Sequence, residues 1–188
     1  MEVDYLNIHR DLVEQCKLGN KNAYKKLYEL YSKAMFNVCF RITNDHFEAE
    51  DVLQESFVSA FKNIKSFRGE SSFGAWLKKI VVNRSINHMN KKKIEMIPLS
   101  EQFDETVSDN DYESKDEENM AIEIKLVNQA ISCLPDGYRT VLSLYLVEGY
   151  DHGEISKIMN ITESTSKSQY NRAKKKLKLI IEELWKTS

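Results

Sequence analysis

Punctuation is scarce in this chain. Two prolines, Pro98 and Pro135, and six glycines are spread over 188 residues. A helix is therefore forced to stop in few places, and a mostly helical fold follows. Apolar residues recur at spacings of three and four in several successive stretches. Leu27, Leu30, Tyr31, Ala34, Met35, Val38 and Ile42 mark one stripe. Val52, Leu53, Phe57, Ala60, Phe61 and Ile64 mark the next, and Phe73, Trp76, Leu77, Ile80 and Val81 a further one. Gly19-Asn20 and Thr43-Asn44-Asp45 separate them, and Ser71 or Ser72 is placed to cap the helix that Phe73 opens. No stretch alternates in the manner of a strand, and no internal repeat is visible.

The net charge of −2 hides a strong segregation. Between Phe61 and Lys93 nine Lys/Arg stand against Glu70 alone. Between Glu101 and Asn119 nine Asp/Glu stand against Lys115 alone. From Ser164 to the end, seven basic residues oppose Glu182 and Glu183. Two basic blocks thus flank an acidic one, and the near-neutral total hides them. Helical periodicity fails after Lys93, and with Pro98 and the acidic run residues 94–119 read as a flexible linker. The chain divides accordingly into a domain over 6–93 and a second over 120–185.

Other function classes find little support. Cys16, Cys39 and Cys133 are far apart and show no paired spacing. His9, His46, His88 and His152 are equally scattered, so neither zinc nor another metal is expected. No Gly-rich phosphate loop and no nucleophile–base pair argues for an enzyme or a cofactor. The N-terminal residues do not read as a signal peptide, and no apolar run approaches a membrane span. A cytoplasmic protein with reduced, buried thiols is the expectation.

The residues from Leu134 to Leu177 carry the sharpest local signal. Pro135 suits the first turn of a helix bearing Val141, Leu142, Leu144, Tyr145 and Val147, which Gly149 is placed to end. Asp151 then caps a short helix containing Ile155, Ile158 and Met159. Asn160 stands at a tight turn, where its side chain tolerates the left-handed conformation. Ile161 fills the corner, and Thr162 caps a long final helix with Glu163 in its first turn. Tyr170, Ala173 and Leu177 form the buried stripe of that helix. Lys167, Ser168, Asn171, Arg172 and Lys175 fall on its other side. A capped short helix, a small turn and a second capped helix make a helix-turn-helix whose final helix enters the major groove.

These segments resemble a known family. Leu134-Pro135-Asp136-Gly137-Tyr138-Arg139-Thr140-Val141-Leu142 with Glu148-Gly149-Tyr150, then 154–159, then 168–177 with its Arg172-Ala173 pair, are similar to region 4 of bacterial sigma factors. Residues 48–57 (Glu48-Ala49-Glu50-Asp51-Val52-Leu53-Gln54-Glu55-Ser56-Phe57) resemble the polymerase-docking helix of region 2. Residues 67–77, from Phe67-Arg68-Gly69-Glu70-Ser71-Ser72 to Leu77, resemble its promoter-melting segment. Nothing is left for a region 3, which points to the small extracytoplasmic-function subfamily. The resemblance implies an all-α chain, a region 2 bundle and a region 4 helix-turn-helix joined by the acidic linker.

The resemblance also implies roles. The C-terminal domain would read the −35 element as duplex through Lys167, Ser168, Gln169, Asn171 and Arg172, with Lys175 on phosphate. The N-terminal domain would capture the opening −10 element with the loop Phe67, Arg68, Gly69, Glu70, Ser71 and Ser72. Phe67 fits either a pocket wall or a core position, and Trp76 fits the core better than a base platform. Asn83 and Asn87 share a helix face four residues apart and would meet −10 bases, with Lys78, Lys79 and Arg84 on phosphate and Lys91, Lys92 and Lys93 either on phosphate as well or simply solubilising the helix end. Asp51, Gln54 and Glu55 would face the clamp helices of core RNA polymerase, and the C-terminal domain its flap. Promoter DNA is the second partner, and an anti-sigma factor is a third that many relatives have. Three positions depart from the family: Ser166 replaces a branched apolar residue, Asn160 a frequent glycine, and Gln169 a common basic residue. Ser166 leads us to expect looser packing of the final helix. The competing reading is a helix-turn-helix regulator that works without core polymerase, and the block from Glu48 to Leu77, which such a regulator has no need of, weighs against it.

Overall fold

A computed structural model describes residues 9–95 and 126–187. The chain falls into two compact units, Met1–Ile94 and Glu95–Ser188. The acidic run and the start of the second expected domain, residues 120–125, lie outside the described residues, which contain helices and turns but no strand.

The described residues of the first unit hold four α-helices. Helix α1 spans Arg10–Lys17, α2 Lys21–Thr43, α3 His46–Lys62 and α4 Phe73–Glu95, with a 3-10 turn at Ile64–Ser66 between α3 and α4. Short polar side chains set their limits. Asn20 accepts from the amides of Asn22 at 3.0 Å and Ala23 at 3.4 Å, and Asp45 accepts from Glu48 N at 2.9 Å. Ser72, one of the two expected caps, accepts from Ala75 N at 3.2 Å. Asn44 ends α2 in the left-handed conformation, with φ of 58°. Each such cap is worth about 0.5–2 kcal/mol.

The predicted stripes form the core. Leu27, Val38 and Ile42 of α2, Val52, Leu53 and Phe57 of α3, and Phe73, Leu77, Val81 and Val82 of α4 are all buried. Leu30, which is 51% exposed, and Ala34, also exposed, depart from their stripe. Cys16 and Cys39 are buried, and burial pushes both thiols up to about 11, with a hydrogen bond from Ser85 opposing the shift at Cys39. Both therefore stay protonated and unreactive near neutral pH. Cys133 alone is exposed.

In the second unit, helical residues 126–132 (α5) lead into α6 (Asp136–Leu146), α7 (His152–Met159) and α8 (Glu163–Thr187). Pro135 stands one residue outside the expected first turn, at the N-cap. Arg139 secures that corner although only 3% exposed: Nη1 donates to Leu134 O at 2.9 Å and Nη2 to Asp136 Oδ1 at 2.8 Å. Helix α6 stops at Leu146, short of the position expected, and the chain then turns through Gly149 with φ of 79°. Val147 is left 51% exposed as a result. Leu134, Leu142 and Ala173 form a core against which Ile131, Tyr138, Tyr170, Leu177 and Ile180 pack.

One close approach depends on a missing side chain. A Cβ at Gly74 would stand 2.9 Å from Cε1 of Tyr31. That ring cannot swing away freely. It meets Phe73 edge-on at 5.3 Å, and its hydroxyl is bonded to His9 Nδ1 at 2.9 Å. Overpacking of this kind costs about 1–3 kcal/mol. Gly74→Ala should lower the unfolding free energy of the first unit by about that amount in urea titration, and an unchanged midpoint would show that Tyr31 yields.

Candidate nucleic-acid and polymerase interfaces

Helix α8 sorts its side chains cleanly. Ser166 and Ala173 are buried, and Tyr170 and Leu177 half-buried, so residues 166, 170, 173 and 177 face α6 and α7. Lys167, Ser168, Asn171, Arg172 and Lys175 are exposed on the outer side. Lys167 is paired with Glu163 at 2.6 Å, and Ser168 Oγ donates to Thr165 O at 3.0 Å. Gln169 does not join this face. Its side chain lies against Gly137 of α6, and Oε1 is buried with no hydrogen-bond partner among the described residues. The carbonyl end of this half-buried side chain is thus packed against α6.

The first turn of α8 is set by its neighbours. Asp151 accepts from Glu154 N at 2.8 Å while Glu154 Oε2 accepts from Asp151 N at 3.0 Å, a reciprocal capping box at the start of α7. Asn160 takes φ of 53°, and Thr162 Oγ1 accepts from Thr165 N at 3.0 Å. These are the turn and caps that the sequence led us to expect. The looser packing expected at Ser166 is not found. Its residue is fully buried, and Oγ lies 2.9 Å from His152 Nδ1. The His152 ring stacks on Tyr145 at 4.5 Å, and Tyr145 lies 4.6 Å from Tyr170. A polar contact within an aromatic cluster thus replaces the missing branched side chain.

In the first unit, Arg68, Gly69 and Glu70 are exposed in the loop before α4, with Gly69 at φ of 76°. Ser71 and Ser72 are half-buried, and Ser72 is engaged as the cap of α4. Phe67 takes the core alternative. It is 9% exposed, and its ring meets Trp76 at 5.3 Å and Phe73 at 5.9 Å. A ring so enclosed anchors the base of the loop and offers no open face for stacking. Lys79, Asn83 and Asn87 are all exposed at intervals of four, a single polar stripe along α4.

Salt bridges join the flank of that stripe to α3. Arg84 Nη1 lies 3.1 Å from Glu55 Oε2. Glu48 lies 2.5 Å from Lys92 and 3.4 Å from the His88 ring. Two of the cations read from sequence as phosphate contacts, Arg84 and Lys92, are therefore engaged with α3. Asp51 and Gln54 share the exposed side of α3 with Glu55. Gln54 also lines a groove of about 330 Å³ with Tyr28, Ser32, Lys33, Phe36, Glu50 and Leu53. The groove and the ion pairs join residues remote in sequence, which periodicity alone does not reveal. Among the described residues no cluster of three His, Cys, Asp or Glu could hold a metal ion, and no helix is long and apolar enough to cross a membrane.

Comparison with known proteins follows the same division. Residues 27–94 match the family model for sigma-70 region 2, and residues 124–177 that for sigma-70 region 4. The chain is 30% identical to the ECF RNA polymerase sigma factor SigW of Bacillus subtilis over 183 residues, 92% of this chain and 96% of that one. It is 31% identical to the RNA polymerase sigma-H factor of Pseudomonas aeruginosa over 172 residues, 88% and 89% of the two. Among solved structures, the sigma factor RpoE in complex with the anti-sigma factor NepR, from Bartonella quintana, shares the fold with a TM-score of 0.60 at 24% identity, covering 85% of this chain and 96% of that one. CnrH in complex with the cytosolic domain of CnrY shares it at 0.53 and 20% identity, covering 92% and 96%.

Exposed ion pairs contribute little, typically under 1 kcal/mol. Arg84→Ala should accordingly change the unfolding free energy by less than about 1 kcal/mol in urea titration, and a larger loss would mark the Arg84–Glu55 pair as a structural strut.

Proposed function

The chain belongs to the extracytoplasmic-function sigma factors, and from that premise we propose how its residues divide the reading of a promoter. It is a transcription initiation factor that directs RNA polymerase to promoters. A regulator working without core polymerase has no use for the region 2 match over 27–94. The observation that carries the division of labour is the sorting of α8, whose outward residues are polar or basic without exception from Lys167 through Ser168, Asn171 and Arg172 to Lys175.

Region 4, over residues 120–185, reads the −35 element as duplex. The first turns of α8 enter the major groove, where Ser168, Asn171 and Arg172 meet base edges and Lys167 and Lys175 hold phosphate. Arg172 is the main reader, because a guanidinium can bond two acceptors of one guanine, and such a pair is worth about 1–3 kcal/mol of discrimination. Gln169 supports α8 from the α6 side. Region 2, over residues 6–93, takes the −10 element as it opens. Holding a base outside the stack costs a few kcal/mol, which contacts from Arg68, Gly69, Glu70, Ser71 and the stripe Lys79, Asn83 and Asn87 offset. Phe67 and Ser72 act beneath that surface by fixing the loop to α4.

Core RNA polymerase docks on α3 through Asp51, Gln54 and Glu55, with the groove beside Gln54 as the apolar part of the contact. The linker over 94–119 tethers the two readers. The protein carries out no chemistry of its own and needs no cofactor. It works in the cytoplasm. The solved neighbours described above are in complex with an anti-sigma factor or with the cytosolic domain of CnrY, and a partner of the first kind belongs to this proposal.

The test is reconstitution with purified core polymerase and a promoter library randomised at both elements. Selective initiation that depends on this chain is expected, and failure to bind core or to select promoters would overturn the proposal. Arg172→Ala should flatten −35 preference by roughly tenfold, the equivalent of one bidentate contact, while leaving polymerase association intact. Asn83→Ala should change −10 preference alone, and an unchanged profile would remove Asn83 from the interface.

A further inference from the structure

His152 belongs to α7, the helix that supports the reading helix, and it lies on the inner side of α8, away from Arg172 and Asn171. Its ring nevertheless touches all three helices of the motif. It is the first residue of α7. It stacks on Tyr145 of α6 at 4.5 Å and an interplanar angle of 13°. It meets Tyr170 of α8 at 5.6 Å and 62°, and its Nδ1 bonds Ser166 Oγ of α8 at 2.9 Å. We propose that His152 is a positioning residue for promoter recognition: through the Ser166 hydroxyl it fixes the rotation of α8 about its own axis, and so decides which outer side chains point at the bases. The inference rests on the assignment of α8 to the −35 duplex.

The argument is one of directionality. An apolar side chain at position 166 would hold the two helices together by area, and such contacts tolerate small slides and rolls. Ser166 has little area to offer. Its hydroxyl is instead held in a hydrogen bond, which weakens steeply as its angle and length depart from their optimum. Ser166 also begins the inward stripe that continues through Tyr170 and Ala173, and it directly precedes Lys167 and Ser168 on the outer side. Successive residues are about 100° apart around a helix of 3.6 residues per turn. A roll of α8 by even a fraction of that step moves Ser168, Asn171 and Arg172 off their base edges together. The ring is itself packed in a three-ring cluster with Tyr145 and Tyr170, so the bond starts from a fixed point. Its polarity is free to run either way, the ring N–H donating to the hydroxyl or the hydroxyl donating to the ring nitrogen.

The two parts of the imidazole can be separated. His152→Phe keeps an aromatic ring for Tyr145 and removes the hydrogen bond. His152→Asn places a polar group near the position of Nδ1 and removes the stack. Ser166→Ala removes the other partner. Each variant would be assembled with core polymerase and assayed on promoters varied at one element at a time, with thermal melting measured alongside. Discrimination at −35 should fall about tenfold in His152→Phe and in Ser166→Ala, and the double variant should lose no more than either single one. His152→Asn should recover most of the discrimination. The −10 profile should be unchanged in all. A merely structural role would lower melting temperature and total transcript while leaving the −35 ratios as in the parent, and that result overturns the inference. Additive losses in the double variant overturn it too. A parent protein with no −35 selectivity would instead sink the assignment of α8 to DNA, and the inference with it.

Discussion

Hydrogen bonds from short polar side chains to helix-end amides decide where this chain turns. With so few prolines and glycines available, there is little else to stop a helix. Asn20, Asp45, Ser72, Asp151 and Thr162 each accept from an amide in the first turn of the helix they precede. Asn44 and Asn160 end helices in the left-handed conformation. A cap satisfies amides that would otherwise lack a partner, and it also fixes the direction in which the next helix departs. In the second unit three such devices, at Asp151, Asn160 and Thr162, lie within the span of one short helix and its turn. The angle at which α8 leaves α7 is therefore set by directional bonds, and burial of apolar area then holds it there.

Periodicity made the inward and outward faces legible in advance. The stripe 170, 173 and 177 of α8 and, Leu30 and Ala34 apart, the core stripes of α2, α3 and α4 are where apolar spacing placed them, because each depends on residues within one helix. What it could not supply was the partner waiting across the gap. Arg84 reads as a phosphate ligand until α3 brings Glu55 to it from 29 residues away. Lys92 meets Glu48 across 44 residues. Gln169 reads as outward until the fold lays its side chain beside Gly137 on α6. Phe67 fitted two positions equally, and only the packing of Trp76 and Phe73 decides between them. Ser166 was visible as an anomaly. Its compensation by His152 was not, since a lone histidine at a helix start gives no sign of its neighbours.

The ion pairs between α3 and α4 carry a further meaning. A helix with so many lysines and arginines would present charge all round. Glu48 and Glu55 draw Lys92 and Arg84 to one flank, and Lys79, Asn83 and Asn87 are left as a narrower stripe. Exposed pairs of this kind add little stability. Their effect is on shape, since they narrow the cationic surface of α4 to one side. The same two carboxylates lie on the helix that carries Asp51 and Gln54, so the exposed flanks of α3 and α4 are electrostatically joined.

Asn160 shows that the folded contacts are only half of the account. Glycine would enter the left-handed turn with no steric cost, and asparagine pays a small one for its Cβ. The comparison reverses in the denatured ensemble. There a glycine roams over far more backbone conformations than an asparagine, and all of that freedom is lost on folding. The two effects are of similar size, so the turn that aims the reading helix owes part of its persistence to conformations the chain is denied before it folds.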